Sequence, residues 1–83
     1  MKCIELEVLK EYGSPTVYFC EHTMKHSCLI AIPKWNWSFL MDYAIDFEDE
    51  KPLLIEALKQ NVSYADTENI ANAFHDFVCS EFY

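Results

Sequence analysis

The chain has 83 residues, of which 14 are acidic and 6 basic, for a formal net charge of −8, and 52% are apolar. That length sets one domain, residues 1–83, and that apolar content closes a core rather than leaving a disordered chain. All the basic residues are lysine, so the bidentate phosphate clamp of arginine is excluded and direct binding to DNA or RNA is not expected.

Along the chain, Ile4, Leu6 and Val8 first alternate with Glu5 and Glu7, the period-two pattern of a half-buried strand. The same acids interrupt the apolar stretch that a signal peptide needs. Tyr12-Gly13-Ser14-Pro15 contains the one glycine and is the clearest turn. Thr16 to Cys20, rich in β-branched and aromatic residues, predicts a second strand, and His26 to Ile32 a third. Thr23-Met24-Lys25 between them suits a three-residue hairpin loop, and Pro33 ends the third strand.

From Trp35 to Phe47 every odd position is apolar, while the even positions include Asn36, Ser38, Asp42 and Asp46. Alternation over that length predicts a fourth, long strand; a helix with Trp37, Leu40, Met41, Ala44 and Ile45 on one face is the competing reading. Pro52 at a first helical position, behind Asp49 and Glu50, predicts a helix running to Gln60 with Asn61 as its C-cap. Asp66 or Thr67 is expected to cap a second helix whose apolar stripe is Ile70, Phe74, Phe77 and Val78. Strands first and helices after imply an α+β fold: an antiparallel meander of three to four strands with two C-terminal helices packed on one face.

The sharpest local pattern is Cys20-x-His22-x-x-x-His26-x-Cys28. With a three-residue loop, His22 would oppose His26 and Cys20 would oppose Cys28 on one face. Two thiolates and two imidazoles are a legitimate zinc set. The spacing is not that of the usual zinc fingers, however, and a flat strand face converges poorly on one tetrahedral point, so the expected reading is packed cysteines and solvated histidines with no bound metal. A nucleophilic cysteine needs positive surroundings, and here the neighbours are Glu21 and, across the sheet, Glu5 and Glu7. With one glycine there is no phosphate-cradling loop, and no Gly-x-Ser-x-Gly elbow occurs. No catalytic residue and no cofactor are expected.

Asp42, Asp46, Glu48, Asp49 and Glu50 form an acidic run with no lysine before Lys51. Its spacing, and its lack of glycine, do not suit a calcium loop. On a strand, Asp42 and Asp46 would project from a solvent face, and if Glu5 and Glu7 share that face the sheet carries a carboxylate-lined surface with Tyr18 and the histidines in reach. Such a surface repels phosphates and suits a basic protein. The leading expectation is therefore an inhibitory binder that fills a basic nucleic-acid groove of a nuclease or nucleoprotein with carboxylates, on the analogy of phage-encoded anti-CRISPR proteins and of immunity proteins for nuclease toxins, which are small and acidic. The alternative is an accessory or self-associating module, either pairing as a homodimer through the Trp35–Phe47 aromatic ladder or stapled by a zinc site on the Cys20–Cys28 hairpin. Four cysteines with no secretory signal point to reduced thiols in the cytoplasm, and no stretch is long and apolar enough to span a membrane.

Overall fold

The computed structural model describes residues 1–22, Met24 and 26–82. Four strands, β1 (Lys2–Glu5), β2 (Thr16–His22), β3 (Ser27–Ile32) and β4 (Trp37–Asp42), form one antiparallel sheet in the order β1-β2-β3-β4. Two helices follow, α1 (Phe47–Leu58) and α2 (Tyr64–Phe82). The protein is the α+β meander with C-terminal helices that the order of elements implies.

Side-chain alternation divides the sheet into two faces. The inner face carries Val17, Phe19, Cys28, Ile30, Ile32, Trp37 and Met41, all buried. Both helices cover it with residues at helical spacing: Glu50, Leu54 and Leu58 from α1, and Thr67, Ile70, Ala71, Phe74 and Val78 from α2. Phe19 packs edge-on to Phe74 at 6.0 Å between ring centres and lies 4.4 Å from Phe77. The Trp37 indole N–H donates to the Ala57 carbonyl at 3.0 Å, tying the start of β4 to the end of α1. Near the same end, where α1 hands over to α2, the Tyr12 hydroxyl donates to Asp66 and accepts the Ser63 N–H.

Several boundaries differ from expectation, each for a local reason. The first strand does not reach Val8. After Leu6 the chain coils into a 3₁₀ turn (Glu7–Tyr12) that drives Leu9 fully into the core and closes on Gly13, whose φ of 85° is the left-handed conformation that favours glycine. The long fourth strand is also shorter: Pro33–Trp35 is a 3₁₀ turn, Asn36 adopts φ 52°, and β4 stops at Asp42. Tyr43 N–H still bonds to the His26 carbonyl, but Ile45 N–H turns back onto the Asp42 carbonyl and ends the strand. Helix α1 begins at Phe47, ahead of Pro52, because the Asp46 carbonyl accepts the N–H groups of Asp49 and Glu50. Helix α2 begins at Tyr64, so Asp66 and Thr67 lie within its first turn rather than capping it.

The β2–β3 hairpin carries the largest consequence. Its partners are His22 with Ser27, Glu21 with Cys28, and Cys20 with Leu29. The loop expected at Thr23-Met24-Lys25 includes Thr23 and Lys25, which lie outside the described residues. The register of its flanks is one residue away from the symmetric pairing, and one residue exchanges the faces of a strand.

Candidate binding site

The acidic run folds into a corner where β4 hands over to α1. Asp42 ends the strand, and its Oδ1 accepts the Ala44 N–H at 2.9 Å, the local bond that turns the chain. Asp46 stands at the N-cap of α1 without a side-chain capping bond, which leaves its carboxylate to solvent. Glu48 and Asp49 occupy the exposed first turn, where the positive helix end favours acids.

Glu50 behaves differently. It is only 4% exposed, and its Oε2 accepts the backbone N–H of Asp42 at 2.9 Å. Burial, reinforced by the nearby Asp42 carboxylate, pushes its pKa up, while the bond from the Asp42 N–H opposes that rise. It is a structural carboxylate and not part of the surface.

Beneath the corner lies a cleft of about 240 Å³ whose walls include Met41, Tyr43, Asp46, Phe47, Glu50 and His75. The His75 ring stacks on Phe47 at 3.9 Å, and its Nε2 lies 3.4 Å from Cys79 Sγ, one helical turn on. Beside it, Tyr43 donates to Glu21 Oε2 at 3.0 Å. Burial, then that bond, pushes the Tyr43 hydroxyl pKa well up. Burial pushes the Cys28 thiol up to about 11, and the Cys79 thiol is also raised, first by burial and then by Asp76. Both thiols are therefore protonated near neutrality, the opposite of an activated nucleophile.

The other residues singled out in the sequence do not join this corner. Glu5 and Tyr18 lie on the outer sheet face, Glu5 opposite Thr16 and Tyr18 between Cys3 and Ala31. Strand spacing and rise put Glu5 roughly 25 Å from Asp42, at the diagonally opposite corner. Glu7 starts the 3₁₀ turn that follows β1. The Cys/His set is dispersed: Cys20 is exposed on the outer face, Cys28 is buried on the inner one, and His22 opposes Ser27 instead of His26. Among the described residues no group of three or more His, Cys, Asp or Glu is arranged to hold a metal ion. Of the Trp35–Phe47 ladder, Trp37 and Met41 are buried in the core and Phe39 packs against it. His75 and Cys79 were invisible to motif reading; their spacing of four on an amphipathic helix was the available signal.

Fold and corner together define a small α+β domain: a meander sheet backed by two helices, with carboxylates gathered where the last strand meets the first helix. Residues 4–79 match the profile of the YueH-like proteins, and the chain belongs to that family. No curated protein and no solved structure matches it. No helix among the described residues is long and apolar enough to cross a membrane.

Proposed function

We propose that this YueH-like protein is a non-catalytic binding domain that sets its acidic corner on a basic surface of a protein partner in the cytoplasm. A nucleic-acid groove of a nuclease or nucleoprotein fits best, because carboxylates there replace phosphates and block the groove, which makes the domain an inhibitor. The observation that carries this reading is the distribution of ion pairs. Lys2, Lys51 and Lys59 pair with Glu81, Glu68 and Glu56, and none of these pairs involves Asp42, Asp46, Glu48 or Asp49. A helix N-terminus offers only about half a positive charge, so the corner keeps a net negative field. Such a field steers association and weakens once salt shortens the screening length below about 10 Å.

The test is capture of partners from the native host on immobilised protein, with the wild-type chain and an Asp46→Lys/Glu48→Lys/Asp49→Lys variant side by side. The expected result is a basic protein retained at low salt, released at high salt, and lost at least tenfold in the variant. Equal capture by the variant overturns the reading. Glu50 is left untouched, because a change there tests folding instead.

A further inference from the structure

We infer that the cleft beneath the acidic corner is a socket for one alkylammonium group, the head of a lysine side chain projecting from the basic partner. The source of that lysine rests on the acidic-corner reading; the socket itself rests on Glu50.

Carboxylates on a surface are by themselves a solvated face. Glu50 makes this cluster different, because only 4% of it is exposed. Its Oε2 is held by the Asp42 N–H, which fixes the side chain between β4 and α1. The other oxygen, Oε1, has no hydrogen-bond partner. Among the described residues no side-chain oxygen is both sealed from solvent and unbonded, so Oε1 keeps a small opening. Glu50 is a wall of the cleft, and that is where the opening lies. A buried carboxylate oxygen without a donor is costly, and burial already raises the Glu50 pKa.

The surroundings select a cation. Asp42 and Asp46 line the same cleft. Asp42 gives Oδ1 to the Ala44 N–H, and Asp46 makes no side-chain capping bond. Against these three carboxylates the α1 N-terminus sets only about half a positive charge. Lys51 Nζ lies 6.0 Å from the centre of the Phe47 ring on the cleft wall, but it is engaged by Glu68 at 2.9 Å.

The kind of cation follows from the acceptors. Metal ligands converge to roughly 2.0–2.6 Å from one point, and among the described residues these carboxylates are not arranged to hold a metal ion. An ammonium stands farther off, at about 2.7–2.9 Å, and its three donors serve separate carboxylates. A guanidinium fork asks for both oxygens of one carboxylate. Only Asp46, at the exposed rim, has both unbonded, so the interior suits an ammonium. Met41, Ile45 and Phe47 supply an apolar wall for the methylene stem. At about 240 Å³ the cleft is smaller than the roughly 300–1,000 Å³ of a drug-sized ligand site, which fits one side chain.

The experiment titrates the full, isotope-labelled chain with n-butylammonium, n-butylguanidinium or tetramethylammonium chloride at constant ionic strength. Nuclear magnetic resonance follows the Asp42 and Ala44 amides and the His75 ring. Expected are saturable shifts with n-butylammonium, at least fivefold weaker binding of n-butylguanidinium, and no saturation with tetramethylammonium, which has no N–H donor. Glu50→Gln keeps an acceptor for the Asp42 N–H and should weaken n-butylammonium binding at least tenfold with unchanged circular dichroism. Asp46→Asn, which has no capping bond to lose, should weaken it several-fold. An equal response to the three cations means a diffuse field and overturns the inference, as does undiminished binding in a folded Glu50→Gln variant or in Asp46→Asn. Reductive dimethylation of the captured partner's lysines, which keeps their charge and removes donors, should weaken capture at least tenfold. Capture that survives dimethylation but not Asp46→Lys/Glu48→Lys/Asp49→Lys overturns the lysine socket and leaves the acidic corner standing. Saturable n-butylammonium binding with no partner captured overturns the partner as the source and assigns the socket to a free amine.

Discussion

The two faces of the sheet come from the same strands and have opposite fates. On β2 and β3, Phe19 and Ile30 oppose each other inside, and their sequence neighbours Cys20 and Leu29 oppose each other outside. The inner pair is sealed by α2, whereas the outer pair is exposed. Hydrophobicity alone does not separate them, since cysteine and leucine are as apolar as much of what is buried. Faces are assigned by register and by where the helices return. Apolar side chains left outside are surface available for association, and those inside supply stability.

The sharpest way to break this contrast is at the centre of the inner face. Phe74→Ala removes a ring packed against both Phe19 and Trp37 and should cost about 3–5 kcal/mol in chemical denaturation, because the cavity adds to the lost transfer free energy. A loss below 1 kcal/mol would mean that α2 does not seal the sheet. The cysteines compare the faces directly. Cys28→Ser puts a hydroxyl in the core and should cost about 1–3 kcal/mol, whereas Cys20→Ser should stay within about 0.5 kcal/mol. In the folded wild type a thiol reagent should modify Cys20 fast and Cys28 only on unfolding; equal rates would contradict the register.

Glu50 sharpens the contrast from the polar side. Its folded pKa lies above the unfolded value, so the folded state holds the proton more tightly and stability falls as pH rises through that interval. Glu50→Gln keeps an oxygen for the Asp42 N–H and removes the buried charge. It should be at least as stable as wild type at pH 7, with the difference vanishing in acid below the unfolded carboxylate range. Glu50→Ala instead leaves the Asp42 N–H without its acceptor and should cost about 1–3 kcal/mol. If Gln and Ala behave alike in thermal melts across pH 3–8, the carboxylate does not anchor β4 to α1.

Composition and pattern alone determined much of this protein. The strands around Val17, Phe19 and Ile30, the helix stripe Ile70, Phe74 and Val78, and the gathering of acids ahead of Lys51 were all legible, because each rests on local periodicity or on residues adjacent in the chain. Only the tertiary structure decided that Cys20 and Cys28 part company, that alternation from Trp35 to Phe47 spans a turn, a strand and a helix start, and that Glu50 is buried while Asp46 and Glu48 are exposed. A period of two says which residues of a strand share a face but not which face is covered. A carboxylate's burial depends on a backbone N–H eight residues away, and that partner exists only once β4 has ended and α1 has folded back beside it.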